Sequence, residues 1–313
     1  MLIRDYIDYY SDIDNNRKDY FDSFQRNNSN LSGQSMNGSI WIAPNAAISD
    51  EKLIITPTLG ANQLLDSSCD NAAQWYLSSG WTISGGTLNA SGSEAQWSVA
   101  ENYTNLDTNA WYEVYSEVSN YTSGSWQYNQ SPGPMSSVSI LNSYRTSAAS
   151  RKLGVQASSS NFNAKFDNLY AKKIDEKTMF ASHNTNRSDY IAKVDFTCNL
   201  GKSSNYKGGL AVSLDNPSNP QNYIFTRFTD YALSLVKVVN GVASTLINIT
   251  TGYFDGGTLE LRKRGGQVAL LYNNVQIGTT QSITDSTLIN NVYTGVWSAT
   301  SNCSFQNYSN IRN

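Results

Sequence analysis

The chain has 313 residues, a length that allows one large or two medium domains. Only 15% of the residues are charged and the formal net charge is −3, so a nucleic-acid partner, which needs clustered Lys and Arg, is not expected. Asn, Ser, Thr, Gly and Tyr are abundant and helical periodicity is almost absent. This composition indicates an all-β protein of the extracellular or virion type.

Targeting segments are not evident in the sequence. The first ten residues contain no apolar run of the kind that a secretory signal needs, and no stretch approaches the 18 apolar residues of a membrane span. We therefore expect no signal peptide and no membrane insertion. A secreted-type composition without an export signal suggests release by cell lysis, which is how a bacteriophage virion protein leaves its host.

Residues 1–19 differ from the rest of the chain and are predicted to form a short amphipathic arm. Ile3, Tyr6, Ile7 and Tyr10 follow a spacing of three and four, which is typical of one face of a helix. This apolar stripe needs a cover. It either packs on the protein's own sandwich or docks to a neighbouring subunit or virion partner, and in the second case these four residues are the attachment site.

The strongest local signal in the sequence is a hairpin turn at Asn240-Gly241. Both residues tolerate the positive φ of a type I′ turn, and aliphatic runs flank them on either side. Similar runs precede and follow at residues 222–228, 258–264 and 267–277. Strands separated by turns at this regular spacing predict a meander within a β-sandwich.

A resemblance appears in the segments that surround this meander. Asp22, Phe24 and Arg26 precede Leu31-Ser-Gly33, and a strand with Trp41 comes next. This opening resembles that of a concanavalin A/laminin-G-like jelly roll. The later motifs of that family appear only after a long gap, at residues 189–197, 208–212, 222–227, 292–300 and 302–311. The resemblance implies that the last strand pairs near the first, which would bring Phe305 and Tyr308 toward Phe21 and Phe24.

The intervening segment resembles a second family. It contains Asn62-Gln-Leu, Gly80-Trp81, a long Tyr/Val strand from residue 111, and a closing Phe166-Asp-Asn-Leu169. These features resemble a carbohydrate-binding-module-like β-sandwich. The closing strand alternates, with Phe162, Ala164 and Phe166 on one face.

The predicted fold class is therefore all-β, with two jelly-roll β-sandwiches, one inserted into the other, and a short helical N-terminal arm. The domains are an arm at 1–19, a concanavalin/laminin-G-like jelly roll at 20–59 and 175–313, and an inserted carbohydrate-binding-module-like jelly roll at 60–174. Insertion is feasible because the first and last strands of a jelly roll are neighbours. The alternative is a tandem arrangement in which residues 20–59 belong to the middle domain.

Two further expectations concern cysteines and basic residues. Cys69, Cys198 and Cys303 form neither a disulfide framework nor a zinc site, so we expect free buried thiols, with a Cys198–Cys303 bridge as the alternative.

The basic run at residues 262–264 is predicted to be a solvated turn.

The sequence contains no clear arrangement of catalytic residues. His183 is the single histidine, and no triad can be built around it. Glu113 and Glu117 are the best carboxylate pair for glycoside hydrolysis, since a spacing of four places both on one strand face, but we expect that face to be solvated. The prediction is a protein that is not an enzyme.

Carbohydrate binding is the leading functional hypothesis, because sugars stack on exposed aromatic rings. Trp126 and Tyr128 are the predicted platform, with Tyr121, Trp97 and Tyr144 as additional candidates. Substitution of Trp126 by Ala is then expected to abolish glycan retention without changing the melting temperature. Trp41, Trp81 and Trp111 are predicted to be core residues instead.

No cofactor is expected, apart from a structural calcium ion that oxygen-rich loops around Asp215 and Asp230 could hold. The overall prediction is a bacteriophage virion protein, such as a head fibre, decoration protein or tail appendage, which forms a homo-oligomer and binds host or mucosal glycans weakly at many copies. The alternatives are a secreted or cell-surface bacterial polysaccharide-binding protein and a purely architectural cement protein.

Overall fold

The structure is a computed structural model that describes residues 19–36, 39–93, 95–129, 140–146, 152–198, 208–229 and 232–312. These residues form an almost entirely antiparallel β structure, as predicted. They include one short α-helix, α1 (Ser286–Ile289), and 3-10 turns at Ala72–Gln74 and Glu176–Thr178. Within the described part of the chain, no helix is both long enough and apolar enough to cross a membrane.

The strands fall into two groups. The first group, which with its loops we call the outer sandwich, comprises β1 (Tyr20–Asp22), β2 (Ser29–Asn30), β3 (Ser35–Met36), β4 (Ser39–Ile40), β5 (Ala46–Ser49), β6 (Lys52–Ile55), β17 (Phe180–Asn184), β18 (Tyr190–Cys198), β19 (Gly208–Leu214), β20 (Tyr223–Thr229), β21 (Ala232–Val239), β22 (Val242–Thr250), β23 (Gly257–Arg264), β24 (Gln267–Tyr272), β25 (Val275–Gln276), β26 (Gln281–Ser282), β27 (Tyr293–Ser298) and β28 (Cys303–Ile311).

The second group lies between β6 and β17 in the chain and forms the inserted sandwich. It comprises β7 (Leu59–Asn62), β8 (Trp75–Leu77), β9 (Trp81–Ser84), β10 (Thr87–Ser91), β11 (Val99–Asn102), β12 (Trp111–Ser123), β13 (Trp126–Tyr128), β14 (Ile140–Arg145), β15 (Gly154–Ala157) and β16 (Asn163–Ile174).

Two sheets enclose the core of the outer sandwich. One runs β2-β5-β6-β28-β18-β23-β24-β25, and the other runs β17-β27-β19-β20-β21-β22. β6 pairs with β28 and β5 pairs with β6, so both strands belong to the outer sandwich. The predicted hairpin is present: Asn240 and Gly241 have φ of 50° and 74°, and they connect β21 to β22.

The first and last strands of the outer sandwich pair as the resemblance implied. β1 lies against β28, with Tyr20 opposite Asn310 and Asp22 opposite Tyr308. Phe24 packs in the core against Trp41, at 5.9 Å between ring centroids. Phe21 lies opposite Ser309 on β28, but its side chain is 46% exposed because alternation along β1 directs it outward.

The structure gives the opening motif a physical role. The buried Asp22 carboxylate accepts two hydrogen bonds from the Arg26 guanidinium, at 2.7 and 3.0 Å. It also accepts the Trp41 indole N–H at 3.0 Å and the Phe24 backbone N–H at 2.9 Å. Charge-assisted hydrogen bonds of this kind fix the turn that follows β1 and anchor it to the core.

The inserted sandwich also consists of two sheets. Its larger sheet runs β14-β12-β16-β10-β9, with β7 added beside β16, and its smaller sheet runs β13-β15-β11-β8. Phe162, just before β16, and Ala164 and Phe166 on β16 face the core between these sheets, as their alternation predicted. This core is separate from the core of the outer sandwich.

The two sandwiches meet at the points where the chain passes between them. Leu59 on β7 lies opposite Ile174 on β16, so both connections leave the outer sandwich side by side. Trp111 of the inserted sandwich joins a third apolar cluster with Phe225 and Trp297, which lie on the outer face of the β17–β22 sheet. The inserted sandwich therefore covers apolar surface of the outer one.

The expectation of free thiols is wrong for two of the three cysteines. Cys198 on β18 and Cys303 on β28 are directly opposite each other, and they form a disulfide bond across a sequence separation of 105. Cys69 is a buried free thiol. Burial raises its pKa to about 12, and the nearby Asp66 carboxylate adds to the shift.

The basic run at residues 262–264 is not uniformly solvated, which corrects that prediction for Lys263. Its side chain is buried, and its ammonium donates hydrogen bonds to the carbonyls of Ser188 and Ile289, at 2.6 and 2.7 Å. Burial lowers the pKa of Lys263 to about 8. Alternation along β23 turns this residue inward while Arg262 and Arg264 remain exposed.

Candidate functional site

The predicted platform of Trp126 and Tyr128 is wrong, because both side chains are 0% exposed. They lie on β13 and face the core of the inserted sandwich, while Gln127 between them faces outward. The Trp126 ring contacts Phe166 edge-on at 4.9 Å, and the Tyr128 hydroxyl is hydrogen-bonded to Ser116 at 2.8 Å. Neither ring can stack on a sugar.

The three additional candidates have different surroundings. Tyr121 is half-buried against the same core, and its hydroxyl donates to the Gly124 carbonyl at 2.7 Å. Tyr144 lies on β14 opposite Tyr112, but its side chain is outside the described residues. Trp97 is 54% exposed, which keeps it available as a stacking surface.

The sequence analysis missed two exposed tyrosines on the outer face of the smaller sheet. Trp97 joins the same sheet through its backbone N–H, which donates to the Ala157 carbonyl at 2.7 Å. Tyr76 on β8 is 50% exposed and lies opposite Glu101 on β11. Tyr103 is 43% exposed, and its backbone N–H donates to the Gln74 carbonyl at 2.9 Å, which extends the β8–β11 ladder. Alternation places Tyr103 on the same side as Glu101 and Tyr76. We call Tyr76, Trp97 and Tyr103 the aromatic platform.

Polar side chains surround this platform. The Lys152 ammonium lies over the Tyr103 ring, 4.8 Å from its centroid. Gln127 on β13 donates to the Gln156 side chain on β15 at 3.2 Å. Gln156 in turn donates to the Trp97 backbone carbonyl at 3.1 Å, which ties the backbone of Trp97 to this sheet.

This arrangement suits a neutral, chain-like ligand with alternating apolar and hydroxyl surfaces. Exposed rings provide apolar contact area, and amide and charged groups beside them can donate and accept hydrogen bonds. The β8–β11 ladder holds Tyr76 and Tyr103 on one open face, so a ligand can extend across these two rings. The aromatic pattern was available in the sequence: Trp75 and Tyr76 alternate between core and solvent, as do Asn102 and Tyr103.

The carboxylate pair lies on the outer face of the larger sheet. Glu113 is buried rather than solvated, which corrects the prediction for this residue, and it accepts the Tyr170 hydroxyl at 2.9 Å. Burial raises the pKa of Glu113, and the Tyr170 hydrogen bond and the Lys172 charge oppose the shift. Glu117 follows a register irregularity in β12, is exposed, and accepts the Asn168 side-chain amide at 2.7 Å.

His183 is enclosed in the core of the outer sandwich. Its Nε2 lies 3.0 Å from the Tyr308 hydroxyl and its Nδ1 lies 3.3 Å from the Ser39 hydroxyl, while the rings of Tyr20 and Trp41 pack against it. Burial lowers the pKa of His183 to about 3, and the charge of Arg187 contributes in the same direction. The imidazole is a neutral, hydrogen-bonded core group.

The Asp215 loop uses its carboxylate for its own turn. One oxygen accepts the Gln221 backbone N–H at 3.0 Å and the other accepts the Asn222 side chain at 2.7 Å. Asp230 lies outside the described residues. Among the residues that the structure describes, no group of three or more His, Cys, Asp or Glu side chains is arranged to hold a metal ion. The predicted attachment residues Ile3, Tyr6, Ile7 and Tyr10 also lie outside the described ranges.

We compared the chain with known protein families, curated proteins and solved structures. No protein-family model and no curated protein matches the chain. The carbohydrate binding module CBM66 from Bacillus subtilis is similar in structure, with a TM-score of 0.34 and 17% identity over 42% of this chain and 81% of that one. LamAcat from Zobellia galactanivorans has a TM-score of 0.34 and 8% identity over 94% and 96% of the two chains.

A third solved structure, the exoplasmic/lumenal domain of VIP36 with Ca²⁺ and Man3GlcNAc bound, has a TM-score of 0.23 and 13% identity over 82% of this chain and 90% of that one. Likenesses this distant carry no argument. The fold rests on the strand pairing described above, and the site rests on its own side chains.

Proposed function

We propose that this protein is a non-enzymatic glycan-binding protein and that it binds polysaccharide through the aromatic platform. The observation that carries the proposal is the exposure of Tyr76 and Tyr103 on the outer face of the smaller sheet, together with the exposure of Trp97, which lies two residues before β11. Exposed rings that lie side by side on a strand ladder often mark a surface that a ligand or partner covers. The amides of Gln127 and Gln156 supply hydrogen-bonding groups to ligand hydroxyls beside the rings.

Binding without hydrolysis is supported by the positions of the carboxylates. Glycoside hydrolysis needs one carboxylic acid and one carboxylate on either side of the scissile bond. Glu113 is buried and bonded to Tyr170, whereas Glu117 is bonded to Asn168. Both lie on the larger sheet, away from the platform on the smaller sheet. Glu101 is the carboxylate beside Tyr76 on the platform face.

For the setting, we propose the surface of a bacteriophage virion, where many copies turn weak single-site binding into firm attachment. Composition supports this setting, and the amphipathic pattern of residues 1–19 provides a means of attachment. The Cys198–Cys303 bridge also suits a protein that works outside cells. The same bridge supports the alternative of a secreted or cell-surface polysaccharide-binding protein. The architectural alternative is disfavoured by an exposed aromatic platform.

Affinity electrophoresis in gels that contain one soluble polysaccharide each tests the binding proposal. Wild-type protein is expected to be retarded in at least one gel, and a Tyr76→Ala/Tyr103→Ala variant is expected to run freely at an unchanged melting temperature. Phe254→Ala is the matched control, since it removes a ring that is 64% exposed on the outer sandwich. Equal retardation of wild type and the double variant would show that the platform is not the site.

The setting is tested by light scattering of the full chain and of a version that lacks residues 1–19. On the virion proposal the full chain assembles and the shortened chain is a monomer. Two stable monomers would favour the secreted alternative.

A further inference from the structure

A second concave surface lies between the two sandwiches, away from the aromatic platform. It is a cleft of about 760 Å³. Both interdomain connections line it, at residues 58–60 and 173–177. The inserted sandwich adds Gln63 and Asn109, and the outer sandwich adds residues 219–221 and the tip of the β21–β22 hairpin at 240–242. Its volume lies within the range of roughly 300–1,000 Å³ that is typical of small-ligand sites.

Both sandwiches contribute residues with side-chain amides to the lining of this cleft, and these are Gln63, Asn109, Asn219, Gln221 and Asn240. The Gln63 carbonyl oxygen accepts the Tyr112 hydroxyl at 3.0 Å, which holds that side chain in place. Within the described residues, the side-chain amides of Asn109, Asn219 and Asn240 make no hydrogen bond. Each can therefore offer both a donor and an acceptor to a ligand.

The outer wall of the cleft is fixed in position. The Gly241 backbone N–H donates to the Gln221 carbonyl at 2.9 Å, and the Asn240 backbone N–H donates to the Asn222 side chain at 2.9 Å. These bonds join the tip of the hairpin to the β19–β20 loop. A site that is already arranged loses less conformational entropy when a ligand binds.

The charges of the cleft are balanced. Two lysines, Lys173 and Lys177, and two acidic residues, Asp175 and Glu176, line it. Lys173 is paired with Asp107 at 2.9 Å, and the Asp175 carboxylate accepts the Lys177 backbone N–H at 3.2 Å. No residue among the described lining is aromatic. The cleft therefore favours a neutral ligand that is held by hydrogen bonds rather than by ring stacking.

From these observations we infer that the cleft is a second glycan site, which binds a short neutral oligosaccharide or the end of a longer chain. Amides pair well with hydroxyl groups because they match both the donor and the acceptor of each. The concave shape distinguishes this site from the open platform, across which a chain can extend. Because both sandwiches supply amides, the site is complete only while the inserted sandwich is docked.

Isothermal titration calorimetry of the full chain with cello-, laminari-, malto-, xylo- and chito-oligosaccharides tests this inference. At least one of these probes is expected to bind wild-type protein. An Asn109→Gly/Asn240→Gly variant is expected to weaken that binding at least tenfold. Glycine removes the amides and preserves the backbone, because Asn109 and Asn240 have φ of 53° and 50°. Asn274→Gly is the matched control, since this exposed residue also has positive φ, at 66°.

Oligosaccharide binding by the platform variant distinguishes a site in the cleft from a site on the platform. On the inference, the Tyr76→Ala/Tyr103→Ala variant retains oligosaccharide binding in the cleft, whether or not it loses retention of polysaccharide. The inference is overturned if none of the five probes binds, if the double glycine variant binds as wild type does, or if the platform variant loses oligosaccharide binding.

Discussion

The indole rings of Trp111 and Trp297 lie 5.4 Å apart, centroid to centroid, and they belong to different sandwiches. Trp297 is also held by a neighbouring strand of its own sheet, because its indole N–H donates to the Thr226 carbonyl at 2.9 Å and its ring meets Phe225 edge-on at 4.9 Å. The contact is buried on both partners. It fixes the inserted sandwich on the outer face of the β17–β22 sheet.

Replacing Trp111 by Ala should loosen this junction. Removal of a fully buried indole typically lowers the free energy of unfolding by about 3–5 kcal/mol. Differential scanning calorimetry of wild type is expected to show one cooperative transition, and Trp111→Ala is expected to show two, because each sandwich retains its own core. Trp97→Ala, at an exposed position, serves as the control. One transition at the wild-type temperature in the Trp111 variant would contradict this role for the contact.

Trp126→Ala should destabilise the protein, whereas the sequence analysis expected an unchanged melting temperature. The ring is buried against Phe166 and Tyr128, so its loss leaves a cavity in the inserted sandwich. We expect a loss of about 3–5 kcal/mol in urea denaturation. Tyr76→Ala, at a half-exposed position, should change stability by no more than about 0.5 kcal/mol. Comparable stability of the two variants would argue against the burial described here.

The disulfide bond should make a large contribution to stability, since it closes a loop with a sequence separation of 105. A Cys198→Ser/Cys303→Ser variant is expected to be less stable by about 4–5 kcal/mol in chemical denaturation. Thiol titration provides an independent measurement. Unreduced protein should show no reactive thiol when folded and one when denatured, because Cys69 is buried and free. Three thiols without reductant would disprove the bridge.

Acid should destabilise the protein through His183. Because burial lowers the folded-state pKa from 6.5 to about 3, the unfolded chain takes up a proton first as the pH falls. Stability is therefore full above pH 6.5 and declines toward pH 3, by up to about 1.4 kcal/mol per pH unit. His183→Gln should lack this decline between pH 6.5 and 5. Because the chain has one histidine, no other imidazole contributes to the difference between the two proteins. Parallel curves of unfolding free energy against pH for wild type and His183→Gln would refute this role of His183.

Features with local causes were predictable from the sequence. The Asn240-Gly241 turn needs only two residues that tolerate positive φ, and the alternation of Phe162, Ala164 and Phe166 directly indicates a buried face. The fold class follows from many such signals. The pairing of β1 with β28 followed from the family resemblance rather than from any local pattern.

The site was harder to predict, because alternation does not tell which face of a strand meets the core. Trp126 and Tyr128 lie in a polar stretch, yet they face inward, and Gln127 faces outward. Tyr76 and Tyr103 come together only through the register of β8 with β11. The Cys198–Cys303 bridge likewise depends on the register of two strands that are far apart in the chain.

The neighbouring positions of Leu59 and Ile174 have a mechanical consequence. When the inserted sandwich is pulled, the force reaches the outer sandwich along two covalent connections at once. Each strand then carries part of the load, and the Trp111–Trp297 contact between them resists bending. A tandem arrangement would instead pass the full tension through a single linker.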